Sequence, residues 1–503
     1  MKNIIKLISL LALLVFAGCA KKLDKEPLAL AVDQNFYKTT DDMVQAVNAA
    51  YDPLGWESSK GTNIVYFNFF YGDIASDDAI AGGSGAEPRI VPIAEFFVNS
   101  TNVGLLEVWK KLYIGIYRAN LVIEKAPDSK ATEAIKTRVV AEAKFLRSYY
   151  YFNLLRMFGE VPLITKIVAP EEIERPKSSK AAVYQQIESD LKEAAIVLPL
   201  SYSSEKGRAT KGAANGLLAR VYLFQAKWQP LKEVTDQIIG SGVYSLEANY
   251  ASVHSLTTEN GSESLFEIQA TNTLTATDAI ERKNEGTFMN KYMGPRFQLS
   301  AGGFGVNVPS DELVNEFKSD SVLWKKMDPR FKATILSEGD SVMTDTGNVA
   351  ITMKNYQGGL LVKGVKYYCG KYVVSEIDGD QSNGASNQRI IRYADVLLMA
   401  AEAALNLGDE AKAREYVNIV RARVSMPLYT SAITINEIWK ERRLELAMEG
   451  LRFFDIVRQG RAAFLIKASA EGKLFREGVN EVFPIPQAEI DLSNGVITQN
   501  PGY

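Results

Sequence analysis

Two long polar segments of the sequence contain the residue types that could bind a carbohydrate. Sugars present apolar C–H faces and hydroxyl edges, so a site for them needs flat aromatic rings beside side chains that make directional hydrogen bonds. In residues 55–102 the candidates are Trp56, Tyr66, Asp73, Asp77, Asp78, Arg89, Phe96 and Asn99. In residues 244–387 they are Tyr292, Arg296, Phe297 and Trp324. For any single ring, packing in the core is the alternative, because aromatic side chains bury large areas.

Three of these candidates also allow a catalytic interpretation. A glycosidase needs two carboxyl groups about 5–10 Å apart across the scissile bond, and Asp73, Asp77 and Asp78 lie close together in sequence. Clustered acids in a polar loop more often form turns or face solvent. We therefore predict a binding protein with no catalytic residues, and hydrolysis of a bound glycan is the alternative.

The sequence offers little to hold a metal ion or cofactor. His254 is the only histidine, which removes the commonest general base and most zinc sites. The segment from Asp378 begins like a calcium-binding loop, but Asn383 stands where an EF-hand needs Gly, and Arg389 replaces the bidentate Glu. We predict no cofactor and no metal site, with a looser calcium site in this segment as the alternative.

The N-terminus predicts export and a lipid anchor. Lys2 and Lys6 precede an apolar run that is too short to span a bilayer, and the run stops at Cys19. Phe16-Ala17-Gly18-Cys19 is similar to a bacterial lipobox. We therefore predict a signal peptide over residues 1–18 and a lipidated Cys19 on a tether over residues 19–34, with an ordinary secretory signal as the alternative.

Composition predicts a large globular body beyond this tether, over residues 35–503. The chain is 47% hydrophobic, which is enough to bury a sizeable core. Its formal charge is −3 and becomes more negative when Lys2 and Lys6 are removed. Nucleic acid is not an expected partner, because its binding needs a basic face. With Cys19 lipidated, only Cys369 remains, so no intramolecular disulfide is available.

Periodic apolar residues predict a mainly α fold in which helices alternate with long insertions. Ser179 can cap a helix that ends before Pro199, a second stripe ends at Gly159, and Thr434 with Glu437 forms a capping box ahead of a helix through Met448. The helices form four irregular pairs that resemble tetratricopeptide repeats. The predicted helical scaffold covers residues 35–54, 105–243 and 388–460, and the insertions cover residues 55–102 and 244–387.

Several segments along the chain together resemble the SusD/RagB family. They lie in order over nearly all of the mature sequence: Tyr151–Leu154, Phe158–Leu163, Arg208–Ala213, Glu263–Ile268, Ile391–Leu398, Ala401–Ala403, Glu441–Leu446, Gly450–Asp455, Phe483–Asp491 and Gln499–Tyr503. The charged residues in these motifs could be mistaken for catalytic groups. We interpret Arg392, Glu402, Glu441, Arg442, Arg443, Arg452 and Asp455 as ion pairs at packed helix crossings.

The resemblance implies a lipoprotein of a Bacteroidetes-type outer membrane that faces the cell exterior. It implies a SusD-like fold that acts as a lid on a SusC-like TonB-dependent transporter, with ligand contacts in the two insertions. Family members bind oligosaccharides most often, and RagB-like members handle peptides. We therefore expect an oligosaccharide ligand, with a peptide-binding lid, a surface glycosidase or a purely structural partner of the transporter as alternatives.

Overall fold

The computed structural model describes residues 36–55, 58–59, 62–63, 70–82, 89–168, 175–271, 286–287, 289–295, 304–344, 347–350, 365–372, 384–469 and 473–503. The helices are α1 Thr40–Tyr51, α2 Val91–Ala94, α3 Val103–Lys125, α4 Glu133–Phe158, α5 Lys180–Val197, α6 Lys211–Phe224, α7 Trp228–Gly240, α8 Met289–Met293, α9 Asp311–Trp324, α10 Arg330–Thr334, α11 Tyr393–Asn406, α12 Glu410–Arg423, α13 Ile435–Glu445, α14 Arg452–Arg458, α15 Ala462–Lys467 and α16 Gln487–Leu492. The strands are β1 Ser58–Ser59, β2 Thr62–Asn63, β3 Ala79–Ala81, β4 Ser264–Ile268, β5 Asn307–Pro309, β6 Ile335–Ser337, β7 Ser341–Thr344, β8 Gly347–Ala350, β9 Tyr367–Cys369 and β10 Gln388–Arg392. The mainly α fold predicted from the sequence is confirmed.

Local capping chemistry sets several helix ends, as the sequence predicts. The Ser179 hydroxyl accepts a hydrogen bond from the backbone of Ala182 at the start of α5, and Thr434 and Glu437 form the expected capping box at α13. Gly159 ends α4 with a φ of 75°, a conformation that glycine adopts without strain. These signals depend only on neighbouring residues, so they can be read from the sequence.

One predicted boundary is wrong. The structure ends α13 at Glu445, whereas the apolar pattern extended the helix through Met448. Met448 and Gly450 both have positive φ angles, 63° and 74°. These angles are incompatible with a right-handed helix. The resulting turn leaves Glu445 and Glu449 both in contact with the buried guanidinium of Arg392.

Consecutive helices pack side by side, and their buried apolar residues form one large cluster with smaller clusters beside it. α3 packs on α4, α4 on α5, α5 on α6 and α6 on α7, and α11 packs on both α7 and α12. α3 and α4 approach closely at Gly115, where a Cβ would lie 2.3 Å from the ring of Tyr150. The hydroxyl of Tyr150 donates to the carbonyl oxygen of Ala50, 2.7 Å away, which connects α1 to the same core.

The strands join the two insertions to the scaffold and to each other. β4 and β10 pair antiparallel, so a strand within the second insertion lies beside the strand that directly follows this insertion. β3 of the first insertion pairs antiparallel with β5 of the second. The two segments that the sequence marks as binding loops are therefore in contact.

The charged residues of the family motifs are buried in ion pairs, which confirms their structural interpretation. Arg392 contacts Glu263, Glu445 and Glu449, and its side chain is 2% exposed. The remaining pairs are Arg442 with Asp395 and Asp455, Arg443 with Asp78 and Glu316, Arg452 with Asp77, Arg421 with Glu441, and Arg458 with Glu402. These pairs join α11, α13 and α14 to one another, to α9 and α12, and to the first insertion.

The predicted signal peptide, Cys19 and the tether lie outside the described residues, as do residues 378–383 of the segment that begins like a calcium loop. Among the described residues, no helix combines the length and apolar character needed to cross a membrane. The same part of the chain contains no cluster of three or more His, Cys, Asp or Glu side chains placed to hold a metal ion.

The end of α7 provides a prediction about stability. Gly240 and Gly242 both have open space where a Cβ would be, but only Gly242 has a positive φ, 64°. We expect Gly240→Ala to raise the free energy of unfolding by about 0.4–1 kcal/mol, because alanine restricts the unfolded chain. Gly242→Ala should lower it by about 1–2 kcal/mol, because an L-residue there is strained. Urea unfolding of both variants tests this, and effects of the same sign would contradict it.

Candidate ligand-binding site

A groove of about 740 Å³ lies where the two insertions meet the helical scaffold. It is lined by the C-terminal end of α1 through Gly55, by Arg118 of α3, by the turn Glu205–Arg208, and by the end of β4 through Gln269. Gly55 opens the first insertion, and Gln269 belongs to the second. We call this the loop-root groove. Its volume is within the range of small-molecule sites, about 300–1,000 Å³.

One wall of the groove is fixed by Arg118. Its guanidinium donates to the carbonyl oxygen of Ala49 at 2.8 Å and to a carboxylate oxygen of Asp52 at 2.5 Å. These contacts hold the last turn of α1 against α3. Because Arg118 and Asp52 compensate each other, this wall offers hydrogen-bonding groups without a net charge.

A second part of the groove lining is held by Arg208, at the end of the turn Glu205–Arg208. Its guanidinium donates to Glu205 at 2.7 Å, to Glu142 at 2.9 Å and to the side-chain oxygen of Asn48 at 3.0 Å. Burial raises the pKa of Glu142, and the neighbouring Arg208 and a hydrogen bond from Tyr51 act in the opposite direction. Arg208 thus joins α1, α4 and the turn into one rigid edge.

At the end of β4, the lining residue Gln269 belongs to a network of side-chain amides. Gln269 and Asn260 exchange two side-chain hydrogen bonds of 2.8 and 3.1 Å. Asn387 donates to Gln269 at 3.0 Å and to Glu267 at 2.9 Å. The side chain of Gln269, which is exposed to the groove, is therefore held in one orientation.

The three aspartates named from the sequence are placed in the interior. Arg452 binds both carboxylate oxygens of Asp77 at 2.8 Å, and Arg443 binds Asp78 at 2.7 Å. Asp73 accepts from the amide of Asn307 and from the backbone of Gly450. All three are at most 3% exposed, so we remove them from the set of residues that contact a ligand.

The protonation states of these aspartates fit an internal role. Burial raises the pKa of Asp73 well above its ordinary value. Burial opposes ionisation of Asp77 as well, but Arg443 and Arg452 outweigh it and lower the pKa of this carboxyl. A substrate could not reach either group. The carboxyl pair that the glycosidase alternative requires is therefore not available at these positions.

The described aromatic candidates are packed against other rings. Phe96 is 3% exposed and lies 5.0 Å from Phe475 between ring centroids. Tyr292 is 8% exposed and lies edge-on to Phe304 at 5.4 Å. Trp324 is half-buried against Tyr429 and Arg421. Removing Trp324 or Tyr292 would therefore disturb packing in addition to any effect on a ligand.

Of the remaining candidates, Asn99 and Arg89 are at least partly exposed, and the others lie outside the described residues. Asn99 is exposed and accepts hydrogen bonds from the backbone and hydroxyl of Thr101. Arg89 is half-buried, and its carbonyl oxygen accepts from Asn102. The other four candidates, Trp56, Tyr66, Arg296 and Phe297, lie outside the described residues.

The residues that line the loop-root groove are not among the candidates predicted from the sequence. Arg118 and Asn48 belong to scaffold helices, and Arg208 belongs to a family motif. Position in the sequence could have identified some of these residues, because Asn48 and Tyr51 come just before Gly55, where the first insertion begins.

Comparisons with known proteins identify relatives along the whole chain. Residues 262–503 match the sequence model of the SusD family, and residues 93–223 match the model described as starch-binding associating with outer membrane. SusD-like protein P2 of Formosa agariphila is 26% identical, and the alignment covers 99% of each chain.

Solved structures show the same fold. A laminarin binding SusD-like protein is 32% identical, with a TM-score of 0.78 over 93% of this chain and 100% of that chain. Surface glycan-binding protein A of Bacteroides thetaiotaomicron, in complex with laminarihexaose, is 25% identical, with a TM-score of 0.77 over 92% of this chain and 100% of its own. These relatives are named as binding proteins. The chain belongs to the SusD family.

Proposed function

We propose that this protein captures an oligosaccharide in the loop-root groove and delivers it, uncleaved, to a SusC-like TonB-dependent transporter. The groove supports this most directly. Arg118 and Arg208 are paired with acids of the walls, which leaves Lys206 as the exposed charge among the described lining residues. The polar groups of the groove are held in fixed orientations, so the groove suits a ligand with many hydroxyl groups and little charge. The relatives named for laminarin, laminarihexaose and starch support a glycan as the ligand.

The aromatic surface that a sugar face requires comes, in this proposal, from the first insertion. Trp56 follows Gly55, which lines the groove, directly in the sequence. Tyr66 of the first insertion and Arg296 and Phe297 of the second remain candidates for a different reason, because the two insertions contact each other through β3 and β5. Asn99 and Arg89 are further candidates at the edge of the first insertion.

We propose that the protein is anchored by lipid on Cys19 and faces the cell exterior. The match to a family model described as associating with the outer membrane supports this location. The tether over residues 19–34 would separate the lipid from the folded body, which begins near residue 36. Several lipid chains would hold the body firmly, because each buried methylene adds about 0.8 kcal/mol of membrane affinity.

Calorimetry of the purified protein against soluble glycans and peptides tests the proposed function, with the products analysed afterwards. We expect saturable binding of one class of glycan, recovered intact. Binding of peptides alone would favour a RagB-like lid. Formation of cleavage products would establish a glycosidase, and binding of neither class would leave only a structural role beside the transporter.

Filling the groove should abolish most of this binding. Ala49 is exposed on α1 and lines the groove, so Ala49→Trp places a large ring in the ligand volume without removing a contact. We expect the affinity for the glycan to fall at least about tenfold, or 1.4 kcal/mol. Gln45→Trp is the matched control, since Gln45 is exposed one turn earlier on α1 and does not line the groove. Equal affinities for both variants would place the ligand elsewhere.

A further inference from the structure

A second groove, of about 380 Å³, lies on the other side of the turn that bounds the loop-root groove. The two grooves share Lys206, Gly207, Arg208 and Glu267 as lining residues. The second groove continues over the loop after α5, the loop after α7 and the turn before β4. We call the shared turn Lys206–Arg208 the ridge.

One wall of the second groove is apolar and carries two tyrosines. Leu200 is 52% exposed and Val243 is 39% exposed. Tyr244 lies over Gly212, where a Cβ would be 1.9 Å from the tyrosine hydroxyl. Tyr202 is half-buried and lines the same groove. This wall therefore presents an apolar and partly aromatic face, as the C–H face of a sugar ring requires.

The other wall is polar but almost uncharged. Asn260 is held by Gln269, and the hydroxyl of Ser262 donates to Glu247 at 2.9 Å. The ionised groups near the ridge are largely paired, since Arg208 contacts Glu142 and Glu205, and Glu267 lies 3.4 Å from Arg389. Among the described residues that line this groove, the exposed Lys206 is therefore the charged side chain that these pairs do not neutralise. A polyanion would find little here to compensate its charge.

The ridge holds the two grooves at a fixed separation. Gly207 has a φ of 93°, and a Cβ there would lie 2.3 Å from the side chain of Gln269. Gln269 is itself bound by Asn260 and Asn387. The ridge is thus packed directly on the amide network, and a ligand that crosses it needs no rearrangement to reach both sides. Such preorganisation lowers the entropy cost of binding.

We propose that the second groove is a subsite of the same binding site, which takes further units of one neutral glycan whose chain crosses the ridge. This inference rests on the proposed function and adds a requirement to it. The site should select neutral chains that are long enough to occupy both grooves. Shorter chains should occupy the loop-root groove alone.

Chain-length dependence of binding tests the subsite. Laminari-, malto-, cello-, xylo- and manno-oligosaccharides, from disaccharide to heptasaccharide, are titrated into the wild-type protein and into Val243→Trp, which fills the second groove. Val197→Trp is the matched control, because Val197 is 40% exposed, close to the 39% of Val243, and does not line the groove. A uronic-acid oligosaccharide of the longest length provides the charged comparison.

We expect the affinity of the wild type to rise with chain length in the series that binds. Val243→Trp should leave the shortest bound chains unaffected and weaken the longest at least about tenfold, while Val197→Trp changes neither. The uronic-acid chain should bind at least about tenfold more weakly than the neutral chain.

Three results would overturn the subsite while leaving the proposed function intact: wild-type affinity that does not depend on chain length, equal affinities of Val243→Trp and the wild type for the longest chains, or equal losses for short and long chains. Equal affinity for charged and neutral chains would overturn the selection for neutral glycans. Binding of no series by the wild type would overturn the proposed function and the subsite together.

Discussion

Replacing Arg392 with Ala is expected to lower the free energy of unfolding by about 3–5 kcal/mol, the cost of breaking a buried ion pair. Arg392 contacts Glu263, Glu445 and Glu449, and each of these side chains is at most 4% exposed. Removing the guanidinium leaves three carboxylates in the interior without the positive charge that neutralised much of their negative charge. Lys371 and Arg423 remain nearby but already contact Glu449 and Glu445.

Urea unfolding measures this effect, and a surface ion pair provides the control. Lys412 and Glu415 lie 2.8 Å apart with side chains 38% and 56% exposed. Pairs of this kind contribute about 0.2–1 kcal/mol, because water screens both charges. Lys412→Ala should therefore have a small effect. If Arg392→Ala cost no more than Lys412→Ala, the buried cluster would not be a main source of cohesion between α11 and α13.

The helical scaffold could be predicted because its signals are local. Ser179, Gly159 and the Thr434–Glu437 box each act through residues a few positions away, and the predicted ends of α4 and α5 agree with the structure. The error at Met448 has a different origin. The apolar pattern continues past Glu445, but the contacts of Glu445 and Glu449 with Arg392 depend on a segment more than fifty residues away in sequence.

The candidate site was harder to predict because burial is a tertiary property. The sequence around Asp77 is that of a polar loop, yet this side chain pairs with Arg452, which lies 375 positions away. No local pattern identifies that partner. Conversely, Arg118 and Asn48 line the groove from helices, where polar residues normally face solvent. One expectation from the sequence is confirmed: the motif arginines pair with acids.

The second large effect is a dependence of stability on pH that arises from His254. This side chain is 5% exposed, and its Nε2 lies 3.4 Å from a carboxylate oxygen of Glu449. Burial lowers the pKa of His254 to about 4, although Glu449 acts in the opposite direction. In the unfolded chain the imidazole titrates near its ordinary pKa of about 6.5. Between these two values the unfolded state binds a proton that the folded state does not.

The contribution of His254 to the free energy of unfolding is therefore complete above the pKa that its side chain has in the unfolded chain. This contribution falls as the pH decreases from about 6.5 toward 4. From pH 7 to pH 5 the expected loss is about 2 kcal/mol, at 1.36 kcal/mol for each pKa unit. Burial raises the pKa values of Asp73 and Glu263, and these carboxyls act in the opposite direction, because the folded state takes up their protons at a higher pH.

The test is therefore the difference between the wild type and His254→Gln, which cancels the contributions of Asp73 and Glu263 because both proteins contain these carboxyls. The variant keeps a neutral polar side chain beside Glu449 but cannot titrate in this range, and His254 is the only histidine of the chain. Urea unfolding at pH 7 and pH 5 should show a loss about 2 kcal/mol larger in the wild type. If the free energy of unfolding fell equally from pH 7 to pH 5 in the two proteins, His254 would become protonated in the folded state, and its burial would not hold it neutral.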